Sequence, residues 1–144
     1  MIAVLNGVNL NMLGQRDPAQ YGTLTLTELE TQVYAWAAER SLTARCFQTN
    51  HEGAFVDHIH ECRGWASGVI LNPGAWTHYA YAIRDALEIV AVPKVEVHLS
   101  DIAAREEWRR HSVIADVVDH SISGRGAEGY RDALDWLREA IASA

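Results

Sequence analysis

The sequence is poor in cysteine, lysine and long apolar runs, and each shortage removes a class of protein. Cys46, in a strand-like stretch, and Cys62, in a helix-like one, are the only two cysteines. They lie far from any CxxC spacing, so neither a disulfide framework nor a zinc knuckle is expected, and both read as small buried hydrophobes. No apolar run is long enough to span a bilayer, and the opening Met-Ile-Ala-Val-Leu meets polar Asn6 at once, with no basic n-region. The expectation is a soluble cytoplasmic protein with no membrane partner. Against 19 Asp+Glu stand 12 Lys+Arg, a net charge of −7. No basic run breaks that balance, which argues against nucleic acid as a partner. Nor does an aspartate cluster or Walker pattern call for Mg²⁺ or a nucleotide.

What is present is a regular alternation. The chain has 144 residues, 49% of them hydrophobic, enough for one domain spanning residues 1–144 with a single core. Short Val/Ile-rich runs at Ile2 to Leu5, Thr43 to Gln48, Gly68 to Asn72, Val95 to Ser100 and roughly Val117 to Ser121 read as strands. Stretches of helical period lie between them. Thr25 with Glu28 forms a capping box ahead of Leu26, Leu29, Val33 and Trp36, and Glu52 to Trp65 turns Phe55, Val56, Ile59 and Cys62 inward. A third helix starts near Thr77 with Ala80, Ile83 and Leu87, and the last covers Tyr130 to Ile141. Five βα units fit a flavodoxin-like, doubly wound sheet of five parallel strands with helices on both faces. Strand order does not follow from the pattern. Gly124-Arg-Gly-Ala-Glu-Gly129 matches GxGxxG but too little chain follows for a dinucleotide unit, so a tight turn is expected there.

In open parallel sheets the ligand crevice lies beyond the carboxyl ends of the strands. Those ends are rich here: Asn6-Gly7 leads to Asn9 and Asn11, then come Gln48-Thr-Asn-His-Glu-Gly53, Asn72-Pro-Gly-Ala-Trp-Thr-His78 and His98-Leu-Ser100. Asn, Gly and Pro favour turns in any protein, yet four such loops on one edge point to a site for a polar, hydroxylated ligand. In Lys94-Val-Glu-Val-His-Leu-Ser100, period two puts Glu96, His98 and Ser100 on one face. Either this is an edge strand with one wet face, or Glu96 orients His98 as an acid/base group. The only lysine, Lys94, sits at the wrong end of its strand for the crevice, which disfavours Schiff-base chemistry. His58 and His60, two apart on a helix, point to nearly opposite sides and do not suggest a metal site. A non-catalytic, flavin-binding module of the same fold stays open as a rival, although residues 6 to 14 offer neither Ser nor Thr for a phosphate.

Taken in order, LNGVNLNMLGQRDPAQYG, FQTNHEG with FVDHIHE, ILNPGAWTHYAYAIRDAL, VEVHLSDIAAREEWRRHS and ISGRGAEGY resemble the type II 3-dehydroquinate dehydratases from residue 4 to about residue 134. The resemblance implies a hydro-lyase without metal or cofactor that converts 3-dehydroquinate to 3-dehydroshikimate by anti elimination through an enolate. This step is shared by aromatic amino-acid biosynthesis and quinate breakdown. It also implies a dodecamer built from trimers and a mobile lid at about residues 9 to 22. On the matching positions, Tyr21 is the base and Arg16 its activating neighbour. A phenol titrates near pH ~10 in water, so a base of this kind needs a cation that favours the phenolate. By the same correspondence His98 is the general acid held by Glu96, and Asn9 helps place a water against the enolate oxygen. The backbone N–H of Leu99 and Ser100 receive the substrate carboxylate, and Asn72, His78 and Arg109 hold the ring hydroxyls and carboxylate region. Asp85 reaches the site from a neighbouring subunit. The chain departs from the family pattern at Val8 (for proline), Trp76 (for tyrosine), Tyr79 and Ala80 (for Thr-Ser), Asp101 (for asparagine) and Trp108 (for phenylalanine). Val8 is expected to loosen the lid's first hinge and Asp101 to repel the carboxylate bound one residue away.

Overall fold

Strands form where the short apolar runs stand, and helices where the period changes. The computed structural model describes residues 1–144. In chain order the elements are β1 (Ile2–Asn6), α1 (Pro18–Tyr21), α2 (Leu26–Glu39), β2 (Ala44–Gln48), α3 (Glu52–Glu61), β3 (Gly68–Asn72), α4 (Tyr81–Ile89), β4 (Lys94–His98), β5 (His120–Ser123) and α5 (Glu128–Ala142). The expected capping box starts α2: Glu28 N donates to Thr25 Oγ1 at 3.2 Å, and Thr25 N donates back to Glu28 Oε1 at 3.4 Å. Further on, the segments Cys62–Gly64 and Gly74–His78 tighten into 3-10 turns, so the second helix ends and the third begins at other residues than the period suggested.

All strand pairs are parallel, in the order β2-β1-β3-β4-β5. Because side chains alternate across a strand, each buried strand feeds both layers. Ile2, Val4, Ile70, Val95 and Val97 pack with Leu29 and Val33 of α2 and Leu134 and Leu137 of α5. Ala3, Leu5, Val69 and Leu71 pack with Phe55 and Ile59 of α3 and Ile83 and Leu87 of α4. Full burial of each Leu or Ile contributes roughly 1.5–3 kcal/mol, which makes these two layers the main source of stability. The flavodoxin-like, doubly wound reading therefore holds.

Two expectations need correction. The last strand is His120–Ser123, three residues later than Val117 suggested at its start. Val117 and Val118 instead close a turn on the Ile114 carbonyl, and their side chains pack on the α3/α4 layer. As the sheet's edge, β5 exposes His120, Ser121 and Ser123 and so carries no apolar signal. The fourth βα unit also has no α-helix: residues 99 to 119 cross between β4 and β5 as loop with 3-10 turns at Ile102–Ala104 and Glu107–Arg109. That irregular cover suits β4, whose face toward it is polar. There Lys94 Nζ reaches the carbonyls of Val90 and Val92, far from the carboxyl ends of the strands.

Candidate active site

The strand order reverses direction between β1 and β3, so the loops after these two strands part and leave a crevice. Their backbones approach too closely for larger residues. A Cβ on Gly7 would stand 2.6 Å from the Pro73 carbonyl oxygen, and one on Gly74, at φ 65°, would stand 2.6 Å from that of Val8. Asn9 adopts the left-handed conformation at φ 68°, and its N–H is taken by Asn50 Oδ1 at 2.9 Å. Behind the crevice runs a buried chain: Asn72 Nδ2 donates to Tyr130 Oη at 3.3 Å, and Tyr130 Oη donates to Asn6 Oδ1 at 2.6 Å. Burial pushes the Tyr130 phenol up, which keeps it a donor. Asn72 Oδ1 accepts from Gly74 N at 3.1 Å, leaving the second N–H of its amide for a ligand.

On the polar face of β4, His98 Nε2 lies 2.6 Å from Glu96 Oε2. Strand β4 is interior to the sheet, which decides against the wet-edge alternative. The side chains of Glu96 and His98 are only 2% and 8% exposed. Burial raises the Glu96 carboxyl, but the His98 hydrogen bond and charge, with the Thr77 and Ser112 hydroxyls, outweigh it and hold the group below the usual carboxylate range. An ionised Glu96 requires Nε2 to be the donor, so Nδ1 is the nitrogen left for chemistry.

Across the cleft stands Tyr21, the last residue of α1. Asp17 caps that helix by accepting from Ala19 N at 3.0 Å, and Pro18 suits its first turn. The Arg16 guanidinium carbon sits 3.9 Å from the centre of the Tyr21 ring. Arg105, from the β4–β5 loop, donates from Nη1 to Tyr21 Oη at 2.6 Å and to Ser100 Oγ at 3.3 Å. The tyrosine is thus held on its face by one cation and at its oxygen by another.

His78 donates from Nδ1 to the His111 carbonyl at 2.8 Å. Burial, aided by the charges of His98 and Arg109, holds His78 below the ordinary imidazole range, so near neutral pH its Nε2 is an acceptor suited to a ligand hydroxyl. Trp108 packs edge-on to His78, with ring centres 5.2 Å apart, and the Arg109 guanidinium covers the Trp108 ring at 4.0 Å. Asn9, Arg16, Tyr21, Asn72, His78, His98, Leu99, Ser100, Arg105 and Arg109 all border one cavity of about 70 Å³.

A family model described as dehydroquinase class II matches residues 1–138. The chain belongs to the class II dehydroquinases. The 3-dehydroquinate dehydratase of Pelobacter propionicus is 55% identical over 136 residues, covering 92% of this chain and 90% of that protein. The one of Thermotoga neapolitana is 52% identical, covering 96% and 94%. The crystal structure of the type II dehydroquinase from Propionibacterium acnes superposes with a TM-score of 0.93 at 43% identity, covering 96% of this chain and 95% of that one. Membership decides against the flavin module.

Within this dehydroquinase three further residues stand outside the arrangement just described or were not expected in it. Asp85 is exposed on α4 and touches nothing in its own chain's cleft. Asp101 does not border this cavity but lines the adjoining one with Tyr21, Ser100 and Arg105; its carboxylate caps Ile102–Ala104 by accepting from Ala103 N at 3.1 Å. Arg105, absent from the sequence reading, makes the shortest polar contact to Tyr21. Its signal was the density of arginines in Arg105-Glu-Glu-Trp-Arg-Arg110, which does not say which guanidinium turns inward.

Proposed function

We propose that this chain dehydrates 3-dehydroquinate to 3-dehydroshikimate, with Tyr21 as base, His98 as acid and the segment at about residues 9 to 22 as a lid. The observation that carries the reading is a tyrosine held by two guanidinium groups facing a buried Glu96–His98 pair. Tyr21, as phenolate, takes a proton from the carbon between the ketone and the tertiary carbinol. The freed electron pair moves onto the ketone oxygen as an enolate, where Asn9 positions a hydrogen-bonding water. When the carbonyl re-forms, the C–O bond to the tertiary hydroxyl breaks, and the departing oxygen takes the His98 Nδ1 proton and leaves as water. Tyr21 ends protonated and His98 neutral, so solvent exchange with the open lid restores both.

Arg109 and Ser100, with the Leu99 backbone N–H, receive the carboxylate; Asn72 and His78 orient the ring hydroxyls. Clustered arginines give this pocket a positive field despite the chain's net charge of −7, which steers an anionic substrate inward. The test adds 3-dehydroquinate to the purified protein and follows the ultraviolet absorbance of the conjugated enone. Growth of that absorbance supports the reading, and its absence at high protein concentration refutes it.

Arg16→Ala and Arg105→Ala are each expected to lower kcat about 100-fold and to raise KM much less, because each cation acts on the charge of the base. Steady-state kinetics checks this. A loss confined to KM would assign both residues to binding alone.

The active protein is a homo-oligomer in this reading, a dodecamer of trimers, with Asp85 completing a neighbour's site in the cytoplasm. Supporting it, α4 and the turn before it leave Tyr79, Tyr81 and Ile89 more than half exposed, an unusual apolar outlay for a lone chain. No helix is long and apolar enough to cross a membrane. Sedimentation is expected to show an assembly many times 16.0 kDa. Tyr81→Glu should shrink it and cut activity together; a fully active monomer would contradict the assignment.

A further inference from the structure

Glu96 is surrounded by more donors than His98 alone. Its Oε2 accepts from His98 Nε2 at 2.6 Å, from Thr77 Oγ1 at 2.5 Å and from Ser112 Oγ at 2.9 Å, and its Oε1 accepts from Ser112 Oγ at 3.0 Å. Ser112 Oγ itself accepts from Ile114 N at 3.2 Å, which turns the hydroxyl hydrogen toward the carboxylate. Thr77 comes from the turn after β3 and Ser112 from the β4–β5 loop. The same two segments are stitched by Val113 N to the Thr77 carbonyl at 2.8 Å and by His78 Nδ1 to the His111 carbonyl at 2.8 Å.

We propose that Thr77 and Ser112 are positioning residues for the dehydration: their hydroxyls keep Glu96 ionised and correctly turned, and so keep the proton of the pair on His98. The inference rests on the assignment of His98 as acid. Its physical basis is that the buried carboxylate accepts every hydrogen bond it makes, so a proton on it would break one of them or force a hydroxyl to turn round. Without the two hydroxyls, Glu96 would be a desolvated carboxylate with one partner. The shared Nε2 proton would then move toward Glu96, leaving a neutral ring whose Nδ1 proton is a far weaker acid. Ser112 also ties the loop bearing Arg105 and Arg109 to the same carboxylate.

Among the ionisable groups around Glu96, His98 favours its charged form most, by hydrogen bond and by charge, and the Thr77 and Ser112 hydroxyls add to that. His98 shares its strand and His78 stands in the turn after β3. Arg105, Arg109, Arg110, His111 and Asp116 lie in the loop, and Tyr81 and Arg84 on α4. Asp116 is paired with Arg84. These surroundings are mainly cationic and remain unchanged when a hydroxyl is removed.

The test compares Thr77→Val, Ser112→Ala and their double variant with the hydroxyl-retaining Thr77→Ser and Ser112→Thr. For the double variant, kcat is expected to fall about 10- to 100-fold with KM within about threefold, and the acid-side midpoint of kcat/KM to rise by about one pH unit. Each hydroxyl-retaining variant should stay within about threefold of the parent. In the ligand-free protein, carbon-13 NMR should show the Glu96 carboxyl of the double variant titrating at higher pH. This readout needs no turnover, so it judges the positioning role even if the dehydration assay fails. An unchanged Glu96 titration, a fall in activity without a pH shift, or hydroxyl-retaining variants as impaired as the deletions would each overturn the proposal.

Discussion

Replacing Tyr21 with phenylalanine is expected to lower kcat about 10³-fold, or about 4 kcal/mol of barrier, while leaving KM within a few-fold. The ring is half-buried between Arg16 and the floor of the cleft, and phenylalanine fills the same space. The closure proposed for residues 9 to 22 should therefore be unaffected. What disappears is the oxygen that Arg105 approaches at 2.6 Å, the proposed acceptor of the substrate proton. Because the hydroxyl acts on a proton in flight and contributes little to holding the ring, the loss should fall on kcat. A primary deuterium isotope effect on kcat/KM with substrate labelled beside the ketone should accompany it, since proton removal becomes harder relative to later steps. A fall of less than tenfold would mean that another base exists.

His98→Ala should be comparably damaging, about 10²- to 10⁴-fold in kcat, for the opposite reason. Hydroxide is a poor leaving group from a tertiary carbon unless it receives a proton as the bond breaks. The alanine variant also leaves Glu96 buried beside an empty space with only the Thr77 and Ser112 hydroxyls as donors. Added imidazole should enter that space and restore part of the rate, most strongly at pH values where imidazole is protonated. A variant that keeps wild-type activity above neutral pH would remove the residue from the proton path.

How much of this could be read from the chain depended on the range of the interactions. Residues 68 to 72 were legible to the residue because a buried strand is apolar on both faces, and the Thr25–Glu28 cap because its partners are three positions apart. The pairing of Glu96 with His98 followed from period two. By contrast, Arg105 meets Tyr21 across 84 positions, and Ser112 meets Glu96 across 16 from a loop with no periodic signal. Local pattern cannot choose among Arg105, Arg109 and Arg110 when tertiary packing decides which one turns toward the lid. The edge strand β5 was misplaced because its polar residues face water, whereas the neighbouring valines that drew the assignment pack into a loop. Asp85 belongs to neither group: the role proposed for it depends on contacts that a single chain does not make.

The proposal stands on a base and an acid placed on opposite faces of one ring, as anti elimination demands. The most direct measurement is a crystal structure of the Tyr21→Phe variant holding 3-dehydroquinate. The account predicts the residue 21 ring edge roughly 3–3.5 Å from the hydrogen-bearing carbon beside the ketone, and His98 Nδ1 at hydrogen-bond distance from the tertiary hydroxyl on the other face. A complex with both groups on the same face, or with residue 21 turned out to solvent while the lid is shut, would contradict it.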